Sequence, residues 1–230
     1  MLRSLDVGTS IAATLACLAQ GAGVGALGER PEQPLVLYEF ESCPFCRKVR
    51  EALTVLDLDA EIRPCPKGGT RFRRELMERG GKAQFPYLID PNSGKEMYES
   101  EEINRYLFRQ YGETAVPRLI SGSFAALTGS LASAWRLGRG TQARAAKPPQ
   151  QPLELWSFEA SPFCRLVREA LCELELPYLL HNVGKGSPRR AVFVEHSGKM
   201  RVPYLADPNT GFEMFESADI VAYLEERYAA

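Results

Sequence analysis

Residues 43–53 read Cys-Pro-Phe-Cys-Arg-Lys-Val-Arg-Glu-Ala-Leu, and residues 161–171 read Ser-Pro-Phe-Cys-Arg-Leu-Val-Arg-Glu-Ala-Leu. From Pro44 to Leu53 and from Pro162 to Leu171 the two copies agree at nine of ten positions. Self-similarity of this kind outranks a length prior, so the 230 residues are read as two repeated modules. The main chemical difference between the copies is one atom, the sulfur of Cys43 against the oxygen of Ser161.

Each stretch is framed by the same elements. Leu35–Phe40 is a β-branched and aromatic run, hence a strand. Phe45, Val49, Leu53 and Leu56 recur at helical spacing and predict one apolar helix face. A short strand follows at Ala60–Arg63, then a polar helix at Thr70–Arg79 ended by Gly80-Gly81. Pro86–Ile89 is a third strand, Asp90-Pro-Asn-Ser-Gly94 a turn, Glu96–Tyr98 a fourth strand. Ser100 is expected to cap a last helix bearing Ile103, Tyr106 and Leu107. The order βαβαββα repeats from Leu153, with Asp207-Pro-Asn-Thr-Gly211 matching the turn and Met214–Ser217 matching Met97–Ser100.

The repeat extends upstream. Ser10–Ala13 and Leu18-Ala19 align with Ser123–Ala126 and Leu131-Ala132 at an offset of 113. Both segments are rich in small residues. The expected organisation is a leader helix over 1–33, module one over 34–114, a helix and linker over 115–151, and module two over 152–230. The leaders are read as helices that pack on each other or on the sheets, with plain linkers as the alternative. Residues 138–151, with Arg139, Arg144, Lys147 and Pro148-Pro149, read as an exposed connector.

A net charge of −1 gives no reason to expect nucleic acid or an anionic membrane as partner. No apolar run is long enough to predict a transmembrane helix, and the N-terminus does not read as a signal peptide. Six cysteines are too few for a disulfide scaffold, and Cys-x-x-Cys in a βαβ context points to redox chemistry in a reducing cytoplasm.

Cys43 is placed at the end of a strand and Cys46 in the first turn of a helix, with Pro44 suited to the first helical position. Free amides and the positive end of the helix dipole favour a thiolate at Cys43, and Arg47 adds positive charge. Cys46, one turn on, can resolve a mixed disulfide. A metal or iron–sulfur site and inert structural thiols are the alternatives. The metal reading lacks further ligands at suitable spacing, so no metal is expected.

With these residues the chain resembles the thioredoxin fold of glutaredoxins and of the N-terminal domain of glutathione S-transferases. Cys-Pro-Phe-Cys after strand one, Phe85-Pro86 before strand three and Glu99-Ser100 before the last helix carry the resemblance. Ser161-Pro-Phe-Cys164, Val202-Pro203 and Glu216-Ser217 repeat it. The implied fold is α/β, two tandem thioredoxin-like modules. The resemblance implies cis prolines at Pro86 and Pro203, with Phe85 and Val202 pairing to the cysteinyl part of glutathione. Glu99 and Ser100, or Glu216 and Ser217, would hold its γ-glutamyl end, where ordinary helix capping is the plainer role.

Arg47 completes the first set; Ser161 and Cys164 belong to the second, which lacks a nucleophilic sulfur and is either a glutathione-binding module or a structural copy. Cys65 is a candidate further redox thiol, a glutathionylation site or a loop residue. Lys67 and Lys185 are read as solvated. Cys17 and Cys172 read as small buried hydrophobes, and His181 and His196 as structural.

Three functions stay open. The first is a glutaredoxin-like oxidoreductase with Cys43 and Cys46 as catalytic pair, a redox-active disulfide in its cycle and glutathione as cosubstrate. It would act on a disulfide or a glutathionylated protein or small molecule. The second is a transferase acting on a small electrophile. The third is a non-catalytic glutathione- or partner-binding scaffold. The chain shows no large all-helical domain of the kind that builds a transferase electrophile pocket, which favours the first.

Overall fold

The structure is a computed structural model, and it describes residues 2–16, 21–25, 27–112, 114–121, 136 and 138–230. The upstream repeat at Ser123–Ala132 and Cys17 lie outside the described residues. A helix α1 (Leu2–Ala16) precedes module one, which runs β1 (Leu35–Glu39), α2 (Pro44–Val55), β2 (Ala60–Pro64), α3 (Phe72–Gly80), β3 (Tyr87–Asp90), β4 (Lys95–Tyr98) and α4 (Ser100–Tyr111). Module two repeats the order as β5 (Leu153–Ser157), α5 (Pro162–Glu173), β6 (Tyr178–Asn182), α6 (Arg189–Ser197), β7 (Tyr204–Asp207), β8 (Phe212–Phe215) and α7 (Ser217–Tyr228).

The modules do not form separate sheets. Strand β2 pairs antiparallel with β6, Ala60 opposite Leu180 and Ile62 opposite Tyr178, giving one eight-stranded sheet in the order β4-β3-β1-β2-β6-β5-β7-β8. The apolar core runs across the seam, from Leu35, Val49 and Leu107 to Leu153, Val167 and Leu224. Burial of such side chains, at roughly 1.5–3 kcal/mol each, is shared by both copies and binds them into one unit.

Helix α1 lies on α5 of module two rather than on module one. Ser10 Oγ donates to the Pro162 carbonyl at 2.7 Å, an approach its small-residue face permits. The connector is less exposed than expected. Lys67 N–H donates to Thr141 O at 2.6 Å and Ala143 N–H to Lys67 O at 2.8 Å, so this stretch is stitched to the loop after β2. Residues 21–25 do the same for module two, with Lys185 N–H donating to Ala22 O and Val24 N–H to Lys185 O, both at 2.9 Å. A chain with unpaired backbone groups near a buried surface finds partners there, and composition alone does not reveal them.

The turn aspartates are structural anchors. Asp90, fully buried, accepts hydrogen bonds from Tyr106 and Tyr111, and Asp207 from Tyr223 and Tyr228, tying each β-hairpin to the helix that follows it. These bonds hold both carboxyls below the usual carboxylate range although burial opposes them.

Candidate functional site

The sheet register gathers the expected site residues. Tyr38 of β1 lies opposite Tyr87 of β3, and Tyr87 opposite Tyr98 of β4. The chain leaving β1 toward Cys43, the Phe85-Pro86 pair entering β3, and Glu99 leaving β4 therefore share one end of the sheet. Trp156, Tyr204 and Phe215 impose the same arrangement on module two.

Cys43 is the N-cap of α2. Its backbone is extended, and its Sγ accepts a hydrogen bond from Cys46 N–H at 3.3 Å. Pro44 opens the helix without spending an N–H. Interaction with the Cys46 thiol, and then the Cys46 and Phe45 amides, hold the Cys43 thiol below its ordinary value against the opposing effect of burial. Burial, and next the Cys43 sulfur, push Cys46 well above it. The two thiols are thus driven in opposite directions, Cys43 toward the thiolate and Cys46 toward the thiol. Cys43 is 4% exposed and Cys46 fully buried. Phe45, assigned to the apolar helix face by its spacing, is instead 49% exposed, because the first turn of α2 lies at the site's mouth.

Ser161 reproduces this geometry as N-cap of α5, its Oγ accepting from Cys164 N–H at 3.2 Å. Cys164 is buried, and burial raises its thiol. Both Phe85-Pro86 and Val202-Pro203 are cis. The Phe85 ring meets Phe40 edge-on at 5.9 Å and lies under the Arg73 guanidinium at 4.7 Å. Ser100 and Ser217 are not the caps. Glu99 and Glu216 take the N-cap positions at φ 67° and 68°, a left-handed region that non-glycine residues seldom occupy. The backbone turns from strand to helix at the glutamate, one residue earlier than expected, and the serine becomes the first helical residue. Gln84 holds the Glu99 carboxylate, whereas Arg201 pairs with Glu216 at 2.8 Å.

Other expected residues lie apart from the site. Arg47 does not point at Cys43. Its Nε donates to Glu51 at 2.9 Å and its Nη1 lies 3.7 Å from Glu159, because the face of α2 that carries Arg47 turns toward the other module. Cys65 is fully buried, and burial pushes its thiol well up, which makes it a poor nucleophile. Cys172 sits between Glu41 N–H and the Gly140 carbonyl. His181 and His196 stack on Trp156, with ring centroids at 4.3 and 5.4 Å. Among the described residues no group of three or more His, Cys, Asp or Glu side chains is arranged to hold a metal, and no helix is long and apolar enough to cross a membrane.

A buried charge cluster was missed from the sequence. Arg50 donates to Glu159 at 2.9 Å and also to Glu39, and its Nη2 lies 3.3 Å from Glu41. Arg168 donates twice to Glu41, both at 3.1 Å, and lies 3.0 Å from Glu159. Each arginine is thus held by the other module's glutamate. The arginines hold Glu159 down at about 2 despite complete burial. Glu39, between this cluster and the dithiol, is raised to about 7 by burial. Its equivalent in module two is Ser157, fully buried and neutral. The sequence signal for the cluster was the recurrence of Phe40-Glu41 as Phe158-Glu159 after each first strand, and of Arg50 as Arg168 on the helix that follows.

A groove of about 350 Å³ lies beside module two, lined by Val7 of α1, Phe163 and Leu166 of α5, and Glu216, Ser217 and Val221 of α7.

A family model described as "Glutathione S-transferase, N-terminal domain" matches residues 37–115 and 155–230. A solved glutathione transferase of Bombyx mori is 28% identical over 37% of this chain and 39% of its own, with a TM-score of 0.33. A trimeric glutathione transferase of Leishmania is 13% identical over 84% of this chain and 66% of its own, with a TM-score of 0.32. This chain thus spans less than two thirds of either protein. No curated protein matches it in sequence.

Proposed function

The chain belongs to the glutathione S-transferase N-terminal domain family, whose model it matches twice, and from that premise we propose that it is a glutathione-dependent thiol–disulfide oxidoreductase working at Cys43. The carrying observation is the split pair at the start of α2, a Cys43 sulfur lowered by its neighbours and a buried Cys46 thiol raised beside it.

In the proposed cycle the Cys43 thiolate attacks the glutathione sulfur of a mixed disulfide. The new bond joins Cys43 to glutathione, and the substrate leaves as a thiolate that takes a proton from water. A second glutathione thiolate then attacks that sulfur, Cys43 leaves as thiolate, and glutathione disulfide is released. A low-pKa Cys43 is a good leaving group in this step. With a protein disulfide, Cys46 gives up its proton and displaces the substrate, forming a Cys43–Cys46 disulfide that two glutathiones reduce. Glutathione is the reductant, Phe85 and Pro86 receive its cysteinyl part, and Glu99 with Ser100 its γ-glutamyl end. A reducing compartment suits such a cycle.

The test is turnover of a mixed disulfide of glutathione and a small thiol, coupled to glutathione reductase. The expected result is a rate that saturates in glutathione and vanishes after alkylation of Cys43. Absence of turnover in folded protein with reduced cysteines overturns the reading. The groove beside Glu216 and Ser217, with its apolar wall at Phe163, Leu166 and Val221, favours a second reading as a transferase for a small electrophile. Conjugation of an aryl halide in the Cys43-alkylated protein would select it.

A further inference from the structure

We propose that a cleft at the seam of the two modules binds one monovalent anion of chloride size, with the Arg165 guanidinium as its principal donor. The cleft is lined by Glu41, Ser42, Arg47, Arg136, Arg139, Arg165 and Glu169. Arg165 is 3% exposed, and among the described residues its Nε and Nη2 have no hydrogen-bond partner. A buried cation whose donors are unmet costs several kcal/mol unless something compensates it.

The two carboxylates in the lining are already committed. Both Glu41 oxygens accept from Arg168, each at 3.1 Å, and both Glu169 oxygens accept from Arg136, at 2.7 and 2.6 Å. Arg47 pairs with Glu51, Arg136 with Glu169 and Arg139 with Asp6, which leaves Arg165 as the lining cation with no ion-pair partner among the described residues. Burial first, and then the like charge of Arg47, bring Arg165 down to about 10, so the surroundings disfavour its charged form. An anion there reverses that effect, and a neutral water does not.

Size narrows the class. The cleft has about 20 Å³ of free volume, and a water needs about 10–15 Å³ by the same measure. A halide fits that volume. The site is independent of the redox reading, since none of its donors touches the Cys43 sulfur. It bridges the modules, because Ser42 and Arg47 come from module one while Arg165 and Glu169 come from α5.

Thermal unfolding of the full chain in sodium chloride and in sodium gluconate at equal ionic strength tests the proposal. Chloride is expected to stabilise the protein saturably, shifting the unfolding equilibrium roughly tenfold at ten times its dissociation constant. Arg165→Met should fold and lose the difference between the two salts. Equal midpoints in both salts, or a chloride effect retained in the variant, overturn the site. If the variant does not fold, bromide-soaked crystals of the unaltered protein decide. An anomalous peak within hydrogen-bond distance of Arg165 Nε supports the site, and an empty cleft overturns it.

Discussion

The two modules share a backbone and a helix cap, and two of the positions where they part bear on the chemistry at the site. At the N-cap, Cys43 and Ser161 accept the same amide hydrogen bond at 3.3 and 3.2 Å, so geometry does not separate sulfur from oxygen. At the end of the first strand, module one buries Glu39 where module two buries Ser157. Module one therefore carries a thiol at the cap and a titratable acid at the strand end, where module two carries a serine at each place. On the proposed function the redox step belongs to module one, while module two contributes sheet, core and half of the charge cluster.

The most severe way to erase that difference is Cys43→Ser, which gives module one the N-cap of module two. Glutathione mixed-disulfide reduction is expected to fall to the uncatalysed rate, while far-UV circular dichroism stays unchanged. Activity persisting in this variant would place the nucleophile elsewhere.

The charge cluster is the next asymmetry. Glu159 faces Arg50, Arg168 and Arg47, whereas Glu41 serves Arg168 and Arg50. Breaking a buried pair strands a charge and costs about 3–5 kcal/mol. Glu159→Gln should lose that much in urea unfolding, and Glu41→Gln less. The opposite order would mean that the geometry of the Arg168–Glu41 fork outweighs the number of partners.

Glu39 offers a pH test of slightly smaller size. Its pKa is raised from 4.5 to about 7, so the folded state favours its protonated form. That contribution is fully present below about pH 4.5 and is lost as pH rises through about 7, worth about 3 kcal/mol. Arg50, Arg168, Glu41 and Glu159 surround it and set this balance. Glu39→Gln, neutral like Ser157, should gain stability relative to the unaltered chain as pH rises through that window. A constant difference between the two proteins across the window would show that Glu39 is ionised throughout.

Ser161→Cys in the Cys43→Ser background makes the mildest change. The cap, Cys164 and the cis Val202-Pro203 peptide are in place, so reduction should return, roughly fivefold below the original. The deficit reflects the Arg201–Glu216 pair, whose opening costs up to about 1 kcal/mol. Removing Arg201 should then narrow the gap.

The modules, their element order and both proline sites were legible because repetition, period and turn residues are local signals. The place of Cys43 at the helix cap was legible for the same reason, since a helix start is set by its neighbours in sequence. Arg47 was misread because charge near a cysteine in sequence is not charge aimed at it. The residue faces Glu51 and Glu159, and only the packing of the second module shows that. The Ser100 cap was misread by one residue because the turn uses an unusual Glu99 backbone. The joining of β2 to β6 left no trace in either copy alone, as strand pairing across modules depends on contacts remote in sequence.

That pairing has a consequence for expression and handling. A lone copy would leave β2 or β6 as an open margin, with Ala60 and Ile62 or Leu179 and Leu180 beside unmet backbone donors, a template for self-association. In the intact chain the outer margins are instead the four-residue strands β4 and β8, which carry Lys95, Glu96 and Glu213. Each copy thus shields the other's stickiest border, and half-length fragments should precipitate where the whole protein stays dispersed.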